Sequence, residues 1–201
     1  MRNALLSSSL LGALLVTLGA PCAIAAPARG RYYVVVRGVD EAKGISSGIG
    51  DEAKALFLDE LKRHPELTLD PPPGLPTDPE AMVKELKRRK VRAFELTLKI
   101  LEVDRALNPP PPGKQFQVLV RGIKLAVIGD TLPEKILAIG GDGEAQIGQE
   151  VGKEADLAKE GKSILLDCTK QAIKQAVDMT IAKLDLAAKP AHAHKRHHKK
   201  I

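Results

Sequence analysis

Phe94-Glu95-Leu96-Thr97-Leu98-Lys99-Ile100 is the stretch that decides the fold, because apolar and polar side chains alternate along it without a break. Such alternation is typical of a β-strand with one face against the core and the other toward water. After Ile100 the apolar positions move to Leu101 and Val103, so the strand changes face. One extra residue in the strand, a β-bulge, produces such a change.

A second strand follows a proline-rich hairpin loop at residues 108–113. Beyond Gly122 its apolar positions shift by one, which predicts a second bulge nearly opposite the first. These apolar positions are Phe116, Val118 and Val120 before the glycine and Ile123, Leu125 and Val127 after it. A third strand begins near Ile136 and continues through Ile147, so the sequence predicts three antiparallel strands in succession.

Upstream of these strands, the chain alternates between strand and helix patterns. The β-branched and aromatic run 32–36 predicts a buried strand, and the apolar spacing over 51–64 predicts a helix that Pro65 ends. Residues 67–69 form a short strand. A strand, helix and strand of this size favour a right-handed parallel crossover.

Two further helices complete the pattern. Asp78 as N-cap and Pro79 as first helical residue begin one helix, which carries Met82 and Leu86 inward and ends in the basic run 87–90. Residues 163–186 form the clearest helix, with one wide apolar face that is expected to pack across the sheet. The predicted fold is a single α/β domain of the α+β type, with a mixed sheet in the order β-α-β-α-β-β-β-α.

The first 25 residues are typical of a secretory signal peptide, with Arg2, an apolar stretch and the triplet Ala23-Ile24-Ala25. Cleavage near Ala25 predicts a periplasmic or secreted protein without a transmembrane segment. Lipid attachment at Cys22 is an alternative, although Pro21 is an unfavourable residue before a lipidated cysteine.

The predicted domain, residues 26–188, is formally neutral. Of the 31 Lys and Arg residues, Arg2 lies in the signal peptide and five lie in the last thirteen residues; the remainder equal the 25 Asp and Glu residues in number. This balance argues against a basic groove across the fold and against specific nucleic-acid binding.

The tail, residues 189–201, is rich in His and Lys and is expected to be disordered. Its cations are candidates for binding anionic polymers or lipid headgroups: Lys195, Arg196, Lys199 and Lys200. Its histidines are candidate metal ligands: His192, His194, His197 and His198. Such binding is expected to strengthen as the histidines become protonated.

Few side chains suited to catalysis lie in the predicted domain. We interpret its only histidine, His64, as a cation at the end of a surface helix, and its only cysteine, Cys168, as a buried apolar side chain. Adjacent carboxylates such as Asp59 and Glu60 are interpreted as solvent-facing.

Two glycine-rich segments also have structural interpretations. Residues 44–50 lack the spacing of a phosphate loop and predict a loop that leads into a helix. Residues 141–144 lack the ligands of a calcium loop and are typical of a turn or bulge. The sequence therefore predicts no catalytic residues, no cofactor and no enzyme activity.

The order of elements resembles a domain shared by three envelope proteins. Its features here are the Gly-led helix from Gly50, the short strand after Pro65 and the alanine-rich closing helix around Ala172. The family comprises the curli-secretion lipoprotein, the lipoprotein activator of penicillin-binding proteins and the amino-terminal domain of the Tol translocation protein. The resemblance implies a non-enzymatic domain that binds another envelope protein.

We therefore expect an exported protein-binding or accessory module of the bacterial envelope. Two alternatives stay open: a hydrolase or transferase that uses carboxylates alone, and a protein that binds anionic polymers or metal through its tail. A large cleft that gathers several Asp and Glu residues between apolar walls would favour the enzyme.

Overall fold

A computed structural model describes residues 31–110 and 112–188 of the chain. The elements in chain order are β1 (Tyr32–Glu41), α1 (Gly50–Leu61), β2 (Leu67–Thr68), α2 (Pro79–Arg89), β3 (Arg92–Asn108), β4 (Phe116–Thr131), β5 (Leu137–Gly152) and α3 (Leu157–Ala188). The predicted fold class and order of elements are confirmed.

The five strands form one mixed sheet in the order β2-β1-β3-β4-β5. β1 pairs in parallel with both β2 and β3, and the remaining pairs are antiparallel. α1 connects β1 to β2, and α2 connects β2 to β3. Because β2 and β3 lie on opposite sides of β1, these two connections cross the sheet in opposite directions. Two parallel crossovers of the same handedness therefore place α1 on one face of the sheet and α2 on the other.

The main core lies between the sheet and the helices α1 and α3. Phe57 of α1 is fully buried in it, and burial of a side chain of this size contributes about 1.5–3 kcal/mol. The Tyr32 hydroxyl donates a hydrogen bond to the Leu184 carbonyl, 3.2 Å away, and so joins β1 to the last turns of α3. A smaller core of Tyr33, Leu86 and Ala93 lies under α2 on the opposite face.

The predicted start of α2 is confirmed by its cap. The Asp78 carboxylate accepts a hydrogen bond from the Ala81 backbone N–H at 2.9 Å, and Pro79 is the first helical residue. Leu86 is 4% exposed, so the predicted inward face of this helix is also confirmed.

One of the two predicted bulges is confirmed and the other is wrong. The register between β3 and β4 shifts between Ile100 and Glu102, where β3 has one extra residue. No such shift occurs at Gly122, where β4 pairs regularly with both β3 and β5. The residues of β4 that are buried in the main core on the two sides of this glycine are all odd-numbered: Leu119, Ile123, Leu125 and Val127. Val118 and Val120 lie on the opposite face and are only partly buried. Their apolar character suggested a change of face that the strand does not make.

The prediction of a turn or bulge at residues 141–144 is also wrong, because these residues pair regularly with β4 inside β5. Gly141 and Gly143 face α3. A Cβ atom on either would lie under 3.0 Å from a backbone carbonyl of the helix, that of Ala176 or Ala172 respectively. The glycines therefore allow α3 to lie directly against the backbone of β5.

Beyond α2, the other face of the sheet includes a cluster of ion-paired side chains. Lys124 of β4 lies 3.2 Å from Glu102 of β3 and 3.6 Å from Glu144 of β5, so one cation joins three strands. None of the helices in the described residues combines the length and apolar character needed to cross a membrane.

Candidate functional site

A cleft of about 770 Å³ opens between the C-terminal end of α2 and the sheet edge formed by β1 and β2. We name it the α2 cleft. It is lined by Arg31, Tyr33, Thr68, Pro72, Pro73, Arg88, Arg89, Lys90 and Val91. Four of these side chains are cationic, and none of the described residues that line the cleft carries a carboxylate.

The end of α2 supplies three of the four cations. Lys90 ends the helix in the left-handed conformation, with φ of 57°. This backbone conformation is typical of a helix C-terminus and turns the chain toward β3. Arg88 and Arg89 belong to the last helical turn, and both donate hydrogen bonds to the Glu85 carboxylate.

Glu85 holds the two arginines in place. Hydrogen bonds from Arg88 and then Arg89 lower the pKa of Glu85 to about 2, so this carboxylate is ionised at any physiological pH. One carboxylate thus faces two guanidinium groups. Within the described residues, neither Arg31 nor Lys90 has a carboxylate within 4.0 Å. The cleft therefore keeps a positive excess.

β1 brings Arg31 and Tyr33 to the cleft. Its parallel register places Tyr32 between Leu67 of β2 and Arg92 of β3, and α2 ends just before Arg92. Tyr33 points toward α2 and is 8% exposed, and burial raises the pKa of its hydroxyl. A neutral phenol thus lies among the cations.

This cationic cleft is not predicted from the sequence, whereas the absence of specific nucleic-acid binding stays a prediction. The neutral total charge of the domain does not show where its charges lie in the fold. The parallel pairing of β1 with β3 places Arg31 near the basic run 87–90, which is more than 50 positions away in sequence. The sequence feature that indicates this cleft is the basic run 87–90 at the end of α2. A favourable interaction of these cations with the helix dipole does not account for it alone.

A second basic pocket, which we name the Arg121 pocket, has a volume of about 240 Å³. Arg105 and Arg121 lie directly opposite each other on β3 and β4, and both line the pocket together with Lys162 of α3. Burial, and then the charge of Arg105, lower the pKa of Arg121. The Arg121 Nε atom is buried and has no hydrogen-bond partner among the described residues.

His64 does not end a surface helix, which corrects the interpretation from sequence. α1 ends at Leu61, and His64 lies in the following turn with 18% of its side chain exposed. Three carboxylates surround its ring. We name this group the His64 cluster, and its members are Glu60, His64, Glu66 and Asp178. The interpretation of Glu60 as solvent-facing is wrong, because its side chain is only 8% exposed and its carboxylate lies within 4.8 Å of a ligand atom of Asp178 on α3.

Cys168 is fully buried, which confirms its interpretation as an apolar side chain. Its thiol donates a hydrogen bond to the Arg121 carbonyl at 3.3 Å, and burial raises its pKa. His64 contacts Asp178, which lies ten residues after Cys168 on α3. Ten residues correspond to about 15 Å along the helix axis, so the side chains of His64 and Cys168 do not form a nucleophile pair.

The predictions for both chain ends lie outside the described residues. They concern the signal peptide, its cleavage near Ala25, lipid attachment at Cys22 and the binding residues of the tail. The tail residues are His192, His194, Lys195, Arg196, His197, His198, Lys199 and Lys200. All of these stay predictions.

Comparison with known proteins gives a likeness of fold at low identity. No family model matches the chain. No curated protein matches its sequence either. A proposed neuraminyllactose-binding hemagglutinin homolog from Helicobacter pylori is 12% identical, with a TM-score of 0.45 over 80% of this chain and 85% of that one.

Two further solved structures are similar in extent. A DUF330 protein from Xanthomonas campestris is 8% identical, with a TM-score of 0.42 over 82% of this chain and 94% of that chain. The rare lipoprotein B from Shewanella oneidensis is 12% identical, with a TM-score of 0.38 over 76% and 97%. Since all these TM-scores are below 0.5, we draw no functional conclusion from them. The resemblance to the curli, penicillin-binding-protein and Tol components stays a prediction.

Proposed function

We propose that this protein is a non-enzymatic, exported module of the bacterial envelope that binds an acidic segment of a partner protein in the α2 cleft. The observation that carries the proposal is the lining of that cleft, where the part of the chain that the structure describes supplies four cations and no carboxylate. An aspartate- or glutamate-rich segment supplies the missing counter-charges.

The cleft suits a peptide segment in shape as well as charge. The side chains of Tyr33, Pro72 and Pro73 also line the cleft. These side chains have few rotamers, so they lose little conformational entropy when a ligand binds. Arg88 and Arg89 are already oriented by Glu85, so little further side-chain ordering is needed on binding. Guanidinium groups also bind carboxylates through two parallel hydrogen bonds, which favours a carboxylate over a neutral ligand.

The rival proposal is a hydrolase or transferase that uses carboxylates. Such an enzyme needs several Asp or Glu side chains in a cleft with apolar walls. The α2 cleft has the opposite charge, and the Arg121 pocket has no Asp or Glu among the residues 31–110 and 112–188 that line it. These features support a binding module.

Binding of a fluorescent Asp- and Glu-rich peptide tests the proposal. We expect the double variant Arg31→Glu and Lys90→Glu to weaken binding roughly 100-fold, since each lost charge-assisted contact costs about 1.5 kcal/mol. The matched control is Lys54→Glu with Lys159→Glu, which makes the same charge change on exposed positions of α1 and α3. Fluorescence anisotropy at fixed salt measures both variants, and equal weakening in the two would contradict the proposal.

The pH dependence separates the cleft from the tail. Glu85 titrates near pH 2 and the pKa of Tyr33 is raised, so neither changes its charge between pH 5.5 and 7.5. An ordinary histidine side chain gains a proton in this pH range, so binding through the tail histidines would change with pH. Binding in the cleft should therefore be nearly constant, whereas a steep increase toward pH 5.5 would favour the tail as the site.

A further inference from the structure

The His64 cluster brings three metal-ligating side chains from two distant parts of the chain to one point. Glu60 comes from the last turn of α1, His64 from the turn after it and Asp178 from α3. One ligand atom from each lies within 4.8 Å of the other two. Two carboxylate oxygens and one imidazole nitrogen form a ligand set that divalent zinc accepts.

The ring of His64 is oriented like that of a metal-binding histidine. Its Nδ1 atom lies 3.5 Å from a Glu66 oxygen, which favours a proton on that nitrogen. The Nε2 atom is buried and has no hydrogen-bond partner in the described residues. It faces Asp178 Oδ1 at 3.8 Å and Glu60 Oε1 at 4.0 Å. These distances are longer than hydrogen bonds and leave room for an ion between the three atoms.

Each carboxylate is held by a cation on its other oxygen. Arg63 Nη1 donates to Glu60 Oε2 at 3.0 Å, and Lys174 Nζ donates to Asp178 Oδ2 at 2.6 Å. The remaining oxygens, Glu60 Oε1 and Asp178 Oδ1, are the ones that approach His64. Supporting contacts of this kind fix the direction of metal ligands.

We propose that Glu60, His64 and Asp178 bind a divalent cation of the zinc type, with Glu66 as the positioning residue of the His64 ring. The ion would join the end of α1 to the middle of α3 and so stabilise the domain. The opposing assignment is a protonated His64 that serves as counter-ion to the carboxylates without any metal. The site is independent of the α2 cleft, which is lined by none of these residues.

The thermal stability of the full chain with and without Zn²⁺ tests this site. The four tail histidines are first changed to glutamine in every variant, so that the tail contributes no imidazole ligand. A metal at 100 times its dissociation constant should raise the melting temperature by about 5–10 °C, because it binds only the folded state. The variant His64→Gln should lose this rise.

Two further variants keep the test decisive. Asp178→Asn changes a partly exposed ligand and should also remove the rise, even if His64→Gln folds poorly. Asp59→Asn is the matched control, because it removes the exposed carboxylate next to Glu60 and should retain the full rise. No rise with Zn²⁺ in the parent protein, or an equal rise in Asp178→Asn, would overturn the metal site and favour the counter-ion role.

Discussion

Replacing Gly143 with valine is expected to destabilise the domain by about 4 kcal/mol or more. Any Cβ at this position would lie under 3.0 Å from the Ala172 carbonyl oxygen, and the atom in the way belongs to the helix backbone and cannot rotate aside. Accommodating it requires α3 to move off β5, which opens the main core. Urea unfolding, monitored by far-ultraviolet circular dichroism, measures the change.

Gly148→Val is the matched control in the same strand. Its side chain would point to the other face of the sheet, where the nearest atoms, Val118 Cγ1 and Val120 Cγ2, lie 3.4 and 3.7 Å from a Cβ. Valine is favoured in strands, so this variant should change stability by less than about 1 kcal/mol. Equal losses in the two variants would show that α3 does not lie against β5 as described.

Replacing Ile173 with aspartate is expected to leave the domain largely unfolded. Ile173 is 1% exposed on the face of α3 that packs against the sheet. An aspartate there loses the apolar contacts and buries an unpaired charge, which together cost roughly 5 kcal/mol, a large part of the stability of a typical domain. Melting curves from circular dichroism measure the loss.

The control for this second variant is Gln171→Asp. Gln171 is exposed on the same helix, so its melting temperature should stay within a few degrees of the parent. Lys174 is a less suitable control because its ammonium group pairs with Asp178 and so supports the His64 cluster. A result in which Gln171→Asp is as damaging as Ile173→Asp would mean that α3 is rotated about its axis.

Local patterns in the sequence predicted the elements because their causes are local. The alternation from Phe94 to Ile100 shows the buried face of β3 directly, and Asp78 with Pro79 shows the start of α2. The wrong predictions concern residues whose burial or backbone conformation depends on how another element packs against them. Val118 and Val120 are apolar but lie on the face of the sheet opposite to α1 and α3. The close approach of α3 to Gly141 and Gly143 leaves no local signal beyond the glycines themselves.

The candidate sites were harder to predict because each is assembled across the fold. Arg31 meets the end of α2 only through the parallel register of β1 with β3. His64 meets Asp178 only because α3 packs against the end of α1. A sequence shows these residues as isolated charges, and each has a plausible local role as a helix-end cation or a solvated surface group. Their partners become visible only with the tertiary contacts.

Site-specific photo-crosslinking in the envelope tests the central claim most directly. A crosslinking residue at Pro73 lies in the α2 cleft, and one at Lys54 lies on an exposed position of α1. We expect an adduct from position 73 whose crosslinked partner peptide is rich in Asp and Glu, and which disappears in the Arg31→Glu and Lys90→Glu variant. An adduct to a peptide without acidic residues, or one that survives both charge reversals, would contradict the assignment of the α2 cleft as the binding site.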